Sequence, residues 1–268
     1  MLGRTHPTIR RLRALRRDPQ RRETEAVFLA EGTHLAEEAL RAGARVELAL
    51  VASGLDRTPQ GRDLRERLVR SGARVEHTPS DVLDSLQDAR SPQPVLLVVV
   101  RPGRALDEVL DGRPGVPLLV VAHGIQDPGN LGSILRTADA AGATGFVATG
   151  GGADLFHPRA IRATMGSIFR IPCATADVDA VLGALPHRGV IAVATDTGHG
   201  LPFDVHDFRA PTALFLGSEG GGLGEDLVRR CPARVRIPMH PGVDSLSVGA
   251  AAAVLLFEAS RQRQRPEA

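Results

Sequence analysis

Short apolar runs alternate with stretches whose apolar residues recur every three or four positions, and this alternation predicts most of the chain. Ala26 to Ala30 reads as a strand, followed by a helix that Thr33 can cap and that runs through Ala42, with Leu35, Ala36, Ala39 and Leu40 at helical spacing and Gly43 as its stop. Val46, Leu48 and Leu50 alternate within a strand spanning Arg45 to Val51. A helix from Gln60 to Arg70, a strand from Arg74 to His77, a helix from Asp81 to Leu86 capped by Ser80 and an apolar strand from Pro94 to Arg101 complete a first series. Arg101 to Pro117 is rich in proline and glycine and is the best linker candidate. A second series follows, with strands at Leu118 to Ala122, Gly145 to Thr149, Val190 to Thr195, Thr212 to Leu216 and Arg234 to Ile237. Helices are expected from Leu131 to Ala141, capped by Asn130, and from Pro158 to Met165. Strands interleaved with helices predict an α/β architecture with a parallel or mixed sheet.

The stretch Ile237 to Glu258 ends a strand, breaks at Pro238, passes a loop with Pro241 and Gly242, and enters an apolar helix at about Ser245 or Leu246. Asp244 or Ser245 can accept the free amide hydrogens of its first turn. Val248 to Phe257 is apolar on nearly every face, which places this helix in a core or against a partner subunit. It is too short to span a bilayer. A polar loop on a rigid helix is a ready place for a binding site, although the same pattern also describes a core helix that binds nothing.

Composition narrows the chemistry. The 268 residues are 43% apolar, enough for a sizeable core, but only 3% aromatic with neither Trp nor Tyr, so base stacking on an aromatic platform is poorly supported. No lysine occurs, so all 33 basic residues are arginine, which removes lysine-ended phosphate loops and Schiff-base chemistry. Residues 1–22 hold eight arginines against Asp18, a charge of +7, leaving −5 for the remainder of a chain whose net charge is +2. A basic arm on a mildly acidic body, with Arg261, Arg263 and Arg265 near the other end, suits a polyanionic partner; a solvated arginine-rich helix is the alternative. Cys173 and Cys231 form no CxxC and read as buried thiols of a reducing compartment. No apolar run reaches membrane-span length and no signal-peptide core follows the first charges, so a cytoplasmic protein is expected.

Three glycine-rich loops follow strands: Thr149 to Ala153, Gly217 to Gly224 and Pro238 to Val248. None has the glycine spacing of a dinucleotide site. The nine histidines are scattered and no metal is expected; no GxSxG occurs. Glu219, a carboxylate among bare amides, is a candidate to orient a donor or hydroxyl, or else a solvated loop acid. Arg136, on a partly apolar helix, can clamp a phosphate bidentately or pair with Asp139.

Taken together, NLGSILRTADAAG (130–142), LFLGSEGGGL (214–223) and IPMHPGVDSLSVGAAAAVLLFE (237–258) resemble the three ordered motifs of the SpoU/TrmH family of RNA ribose methyltransferases, in the SPOUT superfamily. The first hundred residues, with FLAEGTHLAEEAL (28–40) and SPQPVLLVVV (91–100), are more weakly similar to the ribosomal-protein-like substrate-binding domain of rRNA-modifying members. The resemblance implies an L30e-like α/β domain over 1–104, then a trefoil-knotted methyltransferase domain with a mostly parallel sheet over 113–268. It implies S-adenosyl-L-methionine as cofactor, a homodimer, and methyl transfer to a ribose 2′-hydroxyl of RNA. The separate N-terminal domain favours rRNA over tRNA; a non-catalytic RNA-binding module is the alternative of a different class. Thiopeptide resistance is a role of some relatives of this plan.

Carried onto this chain, the family's functional positions fall on Asn130, Arg136, Glu219 and Ser245, with Ser247 where the motif usually has Asn. Cofactor contacts fall on Leu216, Gly217, Ile237, Met239 and Leu246, and on Thr149 and Gly150 of the first glycine loop. Ser keeps a donor and two acceptor sites but is shorter than Asn, so a hydrogen bond from Ser247 lengthens or passes through water. A guanidinium with pKa above about 12 is a poor proton acceptor. Arg136 is therefore expected to hold a phosphate and developing alkoxide charge, with the proton leaving elsewhere.

Overall fold

The computed structural model describes residues 1–88, 93–243 and 245–264. Asp244, Arg265 and the first two residues of the 91–100 motif lie outside the described residues. The chain divides into two compact units, one of residues 1–103 with 156–169, the other of 104–155 with 170–268.

The first unit runs α1 (Pro7–Arg17), α2 (Pro19–Thr24), β1 (Val27–Glu31), α3 (Thr33–Arg41), β2 (Val46–Val51), α4 (Pro59–Arg70), β3 (Arg74–His77), α5 (Ser80–Asp84) and β4 (Val95–Val100). Its mixed sheet has the order β1-β4-β2-β3, antiparallel except for the β2–β3 pair. Successive side chains of a strand point to opposite faces. Val27 and Leu29, Leu48 and Leu50, and Leu96 and Val98 accordingly share one core with Ile9, Leu12 and Leu15 of α1. On β1, Phe28 projects between them and meets Phe156 and Phe169, ring centroids 5.4 and 5.9 Å away. Those two phenylalanines flank α8 (Pro158–Ala163), a helix that belongs to this unit although its sequence lies far downstream. Arg101 stacks over Phe156, and Arg162 reaches Glu31 at 3.3 Å.

The basic N-terminus is therefore no free arm. Every third or fourth residue of α1 is apolar and buried, which makes the helix part of the core. Arg11 pairs with Glu25 and Glu47, Arg16 with Asp88, Arg4 with Asp81 and Arg21 with Glu25. Arg22 is buried and donates to the last carbonyls of α1, Leu15 and Arg16, at 2.6 and 3.2 Å. Free carbonyls at a helix C-terminus favour a cation.

The second unit runs α6 (Leu106–Asp111), β5 (Leu118–His123), α7 (Pro128–Ala140), β6 (Gly145–Thr149), β7 (Cys173–Thr175), α9 (Val178–Ala184), β8 (Ile191–Thr195), β9 (Leu201–Pro202), β10 (Thr212–Leu216), α10 (Glu225–Arg230), β11 (Ala233–Arg236) and α11 (Val248–Gln264). Its seven strands are all parallel, in the order β7-β6-β5-β10-β8-β11-β9. β5 and β10 lie at the centre of the sheet and, apart from His123 at the end of β5 and Thr212 at the start of β10, are apolar and buried, as central parallel strands are.

Several local expectations fail for identifiable reasons. The proline- and glycine-rich stretch 101–117 contains α6, whose Val109 and Leu110 are buried in the core of the second unit. Asp127, not Asn130, caps α7, because Pro128 starts the helix and the Asp127 carboxylate accepts the Asn130 amide at 2.9 Å. Gly32 and Pro79, with no side chain to donate or accept, stand at the N-caps expected of Thr33 and Ser80. The final helix starts at Val248, later than expected, runs six residues beyond Glu258, and leaves Phe257 52% exposed. The short strands β7 and β9 and the helices α9 and α10 carry too little periodicity to be read from sequence.

Candidate functional site

Pro and Gly after a parallel strand end the ladder and turn the chain across the sheet edge, and three such turns meet in the second unit. They follow β8, β10 and β11, and the start of α11 closes the group. Between them lies a cavity of about 750 Å³, within the size range of cofactor pockets. Leu216, Ile237, Met239, Leu246 and Leu255 give it apolar wall, and Thr195, Asp196, Ser218, Glu219 and Ser245 give it polar groups.

The loop after β10 is wound tightly. Ser218 and Gly222 exchange both backbone hydrogen bonds, at 3.0 and 2.9 Å, and the Ser218 hydroxyl accepts the Gly221 amide at 3.2 Å. This leaves no room beside Gly217: a Cβ there would stand 2.1 Å from the Gly222 carbonyl carbon. The loop thereby presents backbone and the carboxylate of Glu219 at the cavity rim. Glu219 accepts a 2.7 Å hydrogen bond from the side-chain Nδ2 of Asn130 in the first turn of α7, 89 residues away in sequence. The loop after β10 is thus joined to the helix that follows β5.

Asp196, just after β8, is half-buried and accepts the Gly198 and His199 backbone amides at 2.8 and 3.2 Å, with Arg234 at 3.7 Å. Burial raises its carboxyl, but the two amides and the neighbouring His199 and Arg234 charges outweigh it and hold the group below the usual carboxylate range. The cavity thus holds a fixed anion on one wall and Glu219 on another.

Seven expected site residues line this cavity: Leu216, Gly217, Glu219, Ile237, Met239, Ser245 and Leu246. Asn130 joins them through Glu219. Arg136 is exposed about two turns along α7 and has no hydrogen-bond or ion partner among the described residues. Its alternative partner, Asp139, is taken by Arg113 and Arg170, both at 2.8 Å. Ser247 does not line the wall; it precedes α11 and its hydroxyl accepts the Ala250 amide at 3.3 Å, as a helix cap does. Thr149 and Gly150 also stand off the wall. β6 is separated from β10 by β5, and Thr149 turns to His123, whose Nδ1 lies 3.0 Å from its hydroxyl. Gly150 packs flat under the same ring, where a Cβ would come within 2.6 Å of it. Burial pushes the His123 imidazole below its usual range, so the ring is neutral at pH 7.

Thr195, Asp196, Thr197 and His199 are wall residues that sequence reasoning missed. The TDTGHG turn after an apolar strand was the available signal; what it faced depended on β8 lying beside β10. Among the described residues no group of three His, Cys, Asp or Glu is placed to hold a metal ion.

A parallel α/β unit with an apolar, acid-bearing cavity at its strand ends is that of an enzyme binding a nucleoside-like cofactor. The chain belongs to the SpoU rRNA methylase family, whose model matches residues 117–257, and residues 6–97 match the MRM3-like substrate binding domain. It is 30% identical over 230 residues to the 23S rRNA (guanosine(2553)-2′-O)-methyltransferase RlmP of Bacillus subtilis, covering 86% of this chain and 87% of that one. It is 35% identical over 221 residues to the 23S rRNA (guanosine-2′-O-)-methyltransferase RlmB of Bordetella pertussis, covering 81% and 89%. The SpoU methyltransferase AviRb of Streptomyces viridochromogenes, solved with S-adenosylmethionine, superposes with a TM-score of 0.87 at 29% identity over 96% of this chain and 98% of that one.

S-adenosylmethionine is the family's cofactor, and the cavity suits it. The aliphatic wall accommodates a flat base, and the carboxylates of Asp196 and Glu219 complement hydroxyl donors or positive charge. A polyphosphate would meet these same acids at a cost, since Arg234 and Arg229 on the wall already face Asp196 and Glu225.

Proposed function

We propose that this chain transfers the methyl group of S-adenosylmethionine to a ribose 2′-hydroxyl of ribosomal RNA, most specifically 23S-type RNA. The observation that carries the reading is the Asn130–Glu219 hydrogen bond, which ties the first and second family motifs together on the rim of the cavity. The named 23S rRNA substrates of the relatives and the matched substrate-binding domain support rRNA over tRNA.

When bound, S-adenosylmethionine supplies an electrophilic methyl already activated by its sulfonium, so the protein's task is alignment, exclusion of water and charge management. Leu216, Gly217, Ile237, Met239 and Leu246 hold the cofactor in this reading. The Asn130 amide fixes Glu219 so that its second oxygen orients a donor at the rim. Arg136, exposed and unpaired among the described residues, gathers the target nucleotide's phosphate and stabilises charge developing on the ribose oxygen. Ser245 lines the same wall and offers a hydroxyl to either ligand. Ser247 serves by capping α11, and since Ser and Asn cap about equally well, its presence where the family has Asn does not argue for lost turnover. Thr149 and Gly150 support the sheet edge through His123.

The family's trefoil knot is part of this reading, supported by β10 lying between β5 and β8 and by α11 returning to pack on α7. A homodimer is supported by the exposed apolar side chains of Val243, Leu246 and Phe257 on and before α11. We place the enzyme in the cytoplasm with its substrate; among the described residues no helix is long and apolar enough to cross a membrane. The test is incubation with S-adenosylmethionine labelled on its methyl group and a 23S rRNA transcript, followed by nucleoside analysis. Label on a ribose supports the proposal, and label on a base overturns it.

A further inference from the structure

The arginines of α1 fall into two groups by position. Taking about 100° per residue, the buried stripe of Ile9, Leu12 and Leu15 covers one side of the helix. Arg11 lies beside that stripe and Arg16 within its arc, and they are neutralised by Glu25, Glu47 and Asp88. Arg10, Arg13 and Arg17 fall within an arc of about 60° on the outward side and span about 10 Å along the axis. Arg10 and Arg17 are exposed and Arg13 is half-buried. None of the three has a carboxylate partner among the described residues; the one side-chain hydrogen bond they make there is from the Arg13 guanidinium to the Arg4 carbonyl, at 3.0 Å. Asp18, the only acid within the first 22 residues, turns instead to cap α2 through the Gln20 amide at 2.9 Å.

This distribution is informative because the unit does not lack acids. It places them under Arg4, Arg11, Arg16 and Arg21 and leaves one row of guanidiniums open on a helix whose opposite side is locked into the core. Guanidinium is weakly hydrated and matches a phosphate's two oxygens with two parallel N–H donors. A rigid row of three at helical spacing suits the repeated anions of a nucleic-acid backbone better than a single small anion.

We propose that Arg10, Arg13 and Arg17 form a phosphate clamp on the first unit that binds the RNA backbone without reading its sequence. The choice of RNA as the polyanion rests on the function proposed above. Phosphate contacts of this kind set affinity and its salt dependence and carry no base specificity.

The test compares two triple variants of the full chain: Arg10→Gln, Arg13→Gln and Arg17→Gln on α1, and, as an equal charge change, Arg67→Gln, Arg70→Gln and Arg74→Gln, whose arginines lie 3.3 to 3.7 Å from carboxylates. Binding of a radiolabelled 23S rRNA transcript is measured by filter retention across a salt series, without cofactor, and thermal melting and S-adenosylmethionine titration check the fold. The α1 variant is expected to bind about tenfold or more weakly near 0.1 M salt, and its slope of log affinity against log salt should fall by about 2. The control should change less than about twofold, with its slope kept. Equal losses in the two variants, or no loss in the α1 variant, overturn the clamp. Because binding is read without turnover, those outcomes judge the clamp whether or not the wild-type protein labels that RNA on ribose, a result that judges the functional reading separately.

Discussion

Replacing Gly217 with alanine tests whether the tight loop after β10 makes the cofactor site. The new Cβ would lie 2.1 Å from the Gly222 carbonyl carbon, 2.4 Å from its oxygen and 2.4 Å from the Leu223 nitrogen, where unstrained carbon contacts need about 3.5 Å or more. All three atoms are backbone, so no side chain can swing aside. The loop must open by more than 1 Å, which breaks the pair of hydrogen bonds between Ser218 and Gly222. Each is worth about 1 kcal/mol net, and overpacking of this kind costs about 1 to 3 kcal/mol. If the opened loop is incompatible with binding, the enzyme must restore it at a cost of about 2 kcal/mol, a loss of about 30-fold in affinity. Isothermal titration of S-adenosylmethionine measures that loss, with Gly183→Ala on α9 as the control. A Cβ on Gly183 meets nothing within 4 Å and the residue does not line the cavity, so affinity should stay within about twofold. A Gly217→Ala protein that binds the cofactor as the wild type does would refute the reasoning.

Arg136→Ala should bind S-adenosylmethionine normally yet transfer methyl at least about a hundredfold more slowly in single-turnover assays; a near-normal rate removes Arg136 from the mechanism. Ser247→Ala should lower stability by about 1 kcal/mol through loss of the α11 cap, about 2 to 4 °C in melting temperature, while Ser247→Asn should melt like the wild type. In the first unit, burial holds the Glu31 carboxyl above its usual range, and Arg162 offsets part of that. A raised folded pKa favours the fold at pH below the ordinary value near 4.5 and loses that contribution as pH rises through the folded value. Arg162→Ala should therefore be more destabilised, relative to wild type, at pH 8 than at pH 5 in denaturant titrations, and equal deficits at both would remove Glu31 from the explanation.

The sequence alone determined much of the local structure. β2, β3, β5, β6 and β10 were legible within a residue or so because buried strands need unbroken or alternating apolar positions, and α3 and α4 because three- and four-residue spacing has no other use. The three motifs identified the family and, through it, the cofactor and reaction. Which residues meet was decided only in three dimensions. Parallel strands are joined by long crossovers, so β10 settles between β5 and β8, and Glu219 reaches Asn130 across 89 positions with no local pattern to announce it. The same long-range pairing brought Asp196 onto the cavity wall and kept Thr149 off it. Charge shows the division most plainly. The sequence counted eight arginines in its first 22 residues, but packing alone determined which of them are spent on Glu25, Glu47, Asp81 and Asp88 and which face water, because an ion pair is set by distance in space and not along the chain.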